Sequence, residues 1–197
     1  MKKTTRLIVI ALIVLCAIWG IGIYNKLVKE EEKVSSSWAR VENAYQRRAD
    51  LIPNLVKTVK GAADFEKGTL EAVIEARAKA TSTTIDPTNL TEENMAAFQA
   101  AQDNLSSALS RLLVVVEQYP ELKANQNFLE LQSQLEGTEN RISVERKNFN
   151  EAVKGYNTYI RRFPTNIVAG ICGFDKKAYF KAEEGAEKAP EVEFNFN

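Results

Sequence analysis

The sequence predicts an all-α protein: a single N-terminal transmembrane helix followed by an antiparallel up-down bundle of about four long helices. Three observations lead there. Glycine and proline are sparse, at 9 and 5 of 197 residues, which leaves few of the turns a sheet needs. Apolar residues recur at spacings of three and four through most of the chain, and no run alternates with period two for long enough to make a strand. Near the start, Lys2, Lys3 and Arg6 precede an uncharged run from Leu7 to Asn25.

That run is the first element. As a helix its 19 residues span roughly 28 Å, close to the ~20 residues a bilayer core requires. Trp19 and Tyr24 fall near its far end, where amphipathic rings prefer the interface. A cleaved signal peptide would have a shorter apolar region and a small-x-small site, which Gly20-Ile21-Gly22 matches poorly. Lipidation of Cys16 would want a small residue before it, and Leu15 is not small. Residues 1–25 are therefore expected to be a short basic stub and a retained anchor in the bilayer, the lipid contact falling on 7–25. By the positive-inside rule the N-terminus lies in the cytoplasm and the rest outside.

The bundle is expected over 26–164. Its first stretch carries Leu27, Val34, Trp38, Val41, Tyr45, Ile52, Leu55 and Val59, and Gly61 is its weak point. A shorter second stretch holds Phe65, Leu70, Val73 and Ile74. After the loop "TSTTIDPTNL", with Thr91 as the expected N-cap, the third runs from Met95 to Tyr119 and stops at Pro120. The fourth is a near-heptad seam from Phe128 through Leu135, Ile142, Phe149 and Tyr156 to Phe163, closed by Pro164. Each helix can bury one stripe, and four stripes make a core. A dimeric coiled coil is the rival arrangement. Beyond the bundle, 165–182 is expected to be an apolar, membrane-proximal segment and 183–197 an acidic, disordered tail.

Two seam positions hold charges. Arg48 stands between Tyr45 and Ile52, and Glu145 between Ile142 and Phe149. They are expected either to pair directly across the first and last helices, fixing register, or to lie at the seam edge and reach water along their stems. Pro53 lacks an N–H in mid-helix, so it either kinks the first helix or starts a new one.

Composition removes several functions. Lys+Arg and Asp+Glu are both 26, so the net charge is zero and nucleic acid is not an expected partner. There is no histidine, and only Cys16 and Cys172 are present, which leaves no expected metal, cofactor or Cys nucleophile. No nucleophile stands beside a base, so the protein is not expected to be an enzyme. Polar residues do cluster on two helices: Arg47, Arg48, Asp50 and Asn54 on one, Glu139, Asn140, Arg141 and Glu145 on the other. They form a candidate patch for a peptide or an anionic headgroup, or else they are capping and pairing residues of a solvated face. In an up-down bundle the last helix ends beside the start of the first. That brings Ile167, Val168, Ile171, Phe174, Lys176 and Lys177 near the bilayer, either touching it or folding back over the open end of the core.

The motifs resemble the LemA family. They are the apolar anchor followed by "YNKLV", then "YQRRADLIPNLVKTVKG", "YPELKANQNFLELQSQLEGTENRI", "RKNFNEAVKGYNTYIRRFP" and a later "GF", covering the chain up to about Phe180. The resemblance implies an antiparallel helical bundle behind one membrane helix, with no established catalytic residue to carry over and with work at membranes. It also implies an N-terminus outside the cell, the reverse of the charge argument. The expected function is a non-enzymatic scaffold at the cell envelope that recruits a protein partner or copies of itself. The alternative is a ligand-sensing or accessory subunit of a membrane enzyme such as a protease.

Overall fold

A computed structural model describes residues 2–61 and 65–181. These residues form six helices and no strand. Helix α1 (Lys2–Lys60) is one unbroken element of 59 residues, about 88 Å long. Helices α2 (Lys67–Ser82) and α3 (Glu92–Val116) follow, then the single turn α4 (Pro120–Lys123), the long α5 (Gln126–Arg161) and the short α6 (Thr165–Cys172).

Local chemistry sets these limits. Thr91 accepts a hydrogen bond from the Asn94 N–H at 3.2 Å, and Glu92 and Glu93 sit in the favourable first turn of α3. Tyr119 leaves the helical region before Pro120, which opens α4 as its first residue. The Asn125 side chain caps α5 by accepting from the N–H groups of Asn127 and Phe128. Gly173 ends α6 at φ +75°, a left-handed conformation that glycine adopts without a Cβ clash. Residues 174–181 then run without helical structure.

Pro53 lies inside α1, so no new helix starts there. Its missing N–H leaves the Ala49 carbonyl without its usual helical donor. Arg77 of α2 supplies one instead, its Nε–H donating to Ala49 O at 2.8 Å. The fault in α1 is thus repaired from a neighbouring helix.

Helices α1 and α5 pack along their lengths, α2 lies along α3, and α2 also touches α1. Lys26 sits over the Tyr159 ring, Arg40 meets Glu145, and Arg48 meets Glu139, so α1 and α5 run antiparallel. Helices α3 and α5 do not close on each other in the same way. The extended segment 174–181 enters the space between them. Ala178 and Phe180 are buried in the core, and the Phe180 ring packs against Trp38, Phe98 and Phe149 at 5.9, 6.4 and 5.4 Å between centroids.

The core has two apolar halves. One, nearer the N-terminal run, gathers Ile23, Leu27, Trp38, Phe98, Phe149, Tyr156 and Phe180. The other, at the far end, gathers Ile52, Leu55, Leu105, Leu112 and Phe128. Arg48 and Gln102 stand between the halves.

Ahead of the bundle, the apolar start of α1 exposes its side chains on all sides. It is the one helix among the described residues that is long and apolar enough to cross a membrane. No joint separates it from the bundle.

Candidate functional site

The heptad-like spacing of α1 turns position 48 inward, and there the chain has an arginine, only 2% exposed. Its guanidinium is held from three directions. One NH group donates to Glu139 at 2.8 Å and to Ser106 Oγ at 2.8 Å. The other donates to the Gln102 side-chain oxygen at 2.9 Å. Gln102 in turn donates to the Ala80 carbonyl at 3.2 Å. This one polar layer touches α1, α2, α3 and α5. Of the layer's polar side chains only Arg48 and Gln102 are buried, and the Glu139 carboxylate that pairs with Arg48 reaches solvent.

The expected pairing of Arg48 with Glu145 does not form, and neither side chain lies at an exposed seam edge. Glu145 is 3% exposed and accepts from Arg40 at 3.3 Å and Arg141 at 2.8 Å. Opposite Glu145 the antiparallel register places Arg40, eight residues before Arg48 and about 12 Å along the axis. That is far beyond ion-pair reach.

The remaining patch residues do not converge on one point. Arg47 and Arg141 line a groove between α1 and α5 together with Arg40 and Glu145. Asp50 is exposed and accepts from Gln46 at 2.7 Å, while Asn54 and Asn140 are exposed.

A second groove opens between α3 and α5, with a volume of about 780 Å³. Arg48, Ser106 and Glu139 line its polar part, and Leu109, Leu113 and Leu135 its apolar walls. Lys181 and Arg146 stand at one end, where the extended segment enters. Tyr45 also lines it; burial pushes its phenol up to about 12, against the opposing pull of Arg146 and Arg48, so it stays protonated at neutral pH.

Two asparagines of α5 hold the extended segment by its backbone. Asn157 clamps Lys177, its amide donating to the backbone carbonyl at 2.8 Å and accepting from the N–H at 2.9 Å. Asn150 does the same for Phe180, at 3.1 and 2.9 Å. Seven helical residues separate the two asparagines and three extended residues separate their partners, distances of about 10 Å in both cases. Arg146 and Gln99 take the Lys181 carbonyl at 3.2 and 3.3 Å. In the sequence Asn157 stood out only as a residue of the "GYNTYIRRFP" motif, with no role, and nothing pointed to Asn150; their seven-residue spacing beside the α5 seam was the available signal.

The candidate membrane-proximal residues fall into two groups. Ile167, Ile171 and Lys176 are exposed, whereas Val168 and Phe174 are half-buried against the core. Lys177 does not reach outward. It is buried, pairs with Glu31 at 3.0 Å and donates to the Thr88 carbonyl at 2.6 Å, because the Asn157 clamp turns it toward α1. The acidic tail expected over 183–197 lies outside the described residues. Among the described residues no three Cys, Asp or Glu side chains gather as a metal site would.

A family model described as the LemA family matches residues 37–194, which continues past Phe180 where the quoted motifs stop. Protein LemA of Metamycoplasma hominis is 26% identical over 164 residues, 83% of this chain and 71% of that protein. Magnetosome protein MamQ 2 of Paramagnetospirillum magneticum is 26% identical over 181 residues, 83% of this chain and 66% of that protein. Magnetosome protein MamQ of Magnetospirillum gryphiswaldense is 26% identical over 174 residues, 80% of this chain and 64% of that protein. The chain thus spans about two thirds of the length of these magnetosome relatives.

Proposed function

The chain belongs to the LemA family, and from that premise we propose that it is a membrane-tethered, non-enzymatic scaffold whose α3–α5 groove receives an extended segment of a protein partner. The continuity of α1 carries this reading. Residues exposed and apolar at its start become, without a break, the helix that organises the bundle. A bundle built on such a helix holds its groove at a constant height above the bilayer. The relatives named for the magnetosome support work at a membrane compartment. Lys2, Lys3 and Arg6 favour a cytoplasmic N-terminus with the bundle on the other side.

The groove suits a chain better than a small solute. It is open, it sets Leu109, Leu113 and Leu135 among polar side chains, and at one end Arg146 and Gln99 already hold the backbone carbonyl of Lys181. Backbone capture gives affinity, and apolar walls select side chains, the logic of extended-peptide recognition.

Photo-crosslinking in cells tests the reading. A benzoylphenylalanine replaces Leu113 on the groove wall or, as control, the exposed Val144 on α5 outside it. The expected result is a discrete protein adduct from position 113 that is absent from position 144. Identical adduct patterns from both positions would remove the groove as a recruiting site. A membrane protease as the sole adduct would favour the accessory-subunit alternative.

A further inference from the structure

We propose that α6, together with Phe163, is a second membrane contact: its outer edge lies in the boundary between headgroups and acyl chains and seats the base of the bundle on the bilayer. This rests on the reading of α1 as a membrane-spanning helix.

The edge is apolar and bare. Ile167 and Ile171 lie one turn apart on α6 and are 53% and 81% exposed, so they share one edge, and Phe163, in the turn that leads into α6, is 81% exposed. The opposite side of α6 is committed inward, with Thr165 and Ala169 buried. No residue from 163 to 174 carries a charge. Arg161 and Arg162 precede the stripe and Asp175 and Lys176 follow it, all exposed, so its flanks are net cationic where headgroups would meet them. Other large exposed side chains of the bundle, such as Ile74, Val114 and Leu129, stand singly on different helices, which is ordinary for a surface.

The stripe is also in the right place. Phe174 packs edge-on against Tyr24, with ring centroids 5.8 Å apart. Ala169, Ile160, Ile23 and Leu27 belong to one core cluster. The base of the bundle therefore begins inside the last turn of the uncharged run.

That overlap has a consequence in length. Apolar α1 residues clear of the bundle run only from 7 to 22, about 24 Å as a helix against a hydrocarbon core of about 30 Å. The shortfall of about 6 Å matches the ~5–10 Å to which an interfacial helix sinks its apolar face. Lowering the bundle by that amount fills the core thickness and buries the α6 stripe in the same movement.

The two native cysteines allow a direct test on the full chain in phosphatidylcholine vesicles. Cys172 lies on α6 and Cys16 within the apolar run, and both are free and exposed. With Cys16→Ser, an environment-sensitive dye on Cys172 reports quenching by lipids brominated near the headgroup. A control adds Cys172→Ser and Glu121→Cys, which puts the dye on α4 at the far end of the bundle. The dye on Cys172 should be quenched about twofold more than at the control position, and Ile167→Asp with Ile171→Asp should abolish the difference. Both isoleucines are exposed, so this pair leaves the core intact. A second preparation, carrying only Cys172→Ser, reports on Cys16 with deeply brominated lipids. Quenching at Cys16 without quenching at Cys172 overturns the α6 contact and leaves the spanning helix standing. No quenching at Cys16 removes both. Quenching at Cys172 that survives the aspartates shows proximity imposed by α1 alone and also overturns the contact. Protection of Cys172 that grows with protein density, without lipid quenching, makes the stripe an interface between copies.

Discussion

If Arg77 repairs the backbone fault at Pro53, its contribution must depend on that proline. The Ala49 carbonyl receives its donor from Arg77 Nε at 2.8 Å, across from α2. Arg77→Met keeps most of the aliphatic stem and removes the donor. A hydrogen bond involving a charged group is worth about 1.5–3 kcal/mol, and this one is only partly buried, so the loss should fall near 1.5 kcal/mol. In a Pro53→Ala background the helix regains its own N–H for Ala49, and Arg77→Met should then cost less than about 0.5 kcal/mol. The double-mutant cycle therefore predicts a coupling of about 1 kcal/mol, or about 2–4 °C in melting temperature for a domain of this size. Urea unfolding of the full chain in detergent micelles reads it through Trp38, which is fully buried, with Trp19→Phe removing the exposed indole. Equal costs for Arg77→Met in both backgrounds would refute the repair and leave Arg77 a packing residue.

Three further outcomes follow from the same structure. Glu145→Lys should cost about 3–5 kcal/mol by placing a buried cation among Arg40 and Arg141, and Arg48→Glu in the same chain should fail to restore folding; recovery in a urea melt would show that the two do pair. Asn157→Ala removes both backbone bonds to Lys177, so hydrogen exchange at the Lys177 amide should quicken at least about tenfold while the α3 core amides stay protected; unchanged exchange would mean the clamp holds nothing. Burial raises the Glu42 carboxyl above its ordinary value, so the folded state binds that proton more tightly than the unfolded chain. Stability should fall as pH rises from the ordinary value through the raised one, and Glu42→Gln should lose that slope while matching the native chain at lower pH; identical pH profiles from thermal melts would exclude it.

Residues 48 and 145 mark how far a sequence can be read. The three-and-four spacing is enough to turn both side chains inward, because it depends only on the helix repeat. Their partners were not legible. A seam pattern says which side chains turn inward but not how high a neighbouring helix sits along the axis, so it does not say whether Arg48 meets Glu139 or Glu145. The groove is harder still, since it exists only where α3 and α5 fail to close, and 174–181 was too short and aperiodic to announce itself as the extended segment that fills the end of that space nearer the N-terminal run.

Taken alone, the order of residues determined a helical class, an apolar run long enough to cross a bilayer, most of the buried positions of four helices and the cap at Thr91, all of which follow from interactions within about one helical turn; α3 stops at Val116, short of the Tyr119 end expected from Pro120, and Ile74 and Phe163 are exposed rather than buried. Tertiary structure decided the rest. It joined the apolar run to the bundle without a hinge, chose Glu139 for Arg48 and Arg77 for the Ala49 carbonyl, and laid Lys177 and Phe180 against two asparagines of α5. Each of these depends on which distant residues come to lie at the same height along neighbouring helices, and that height is set by the packing of the whole bundle.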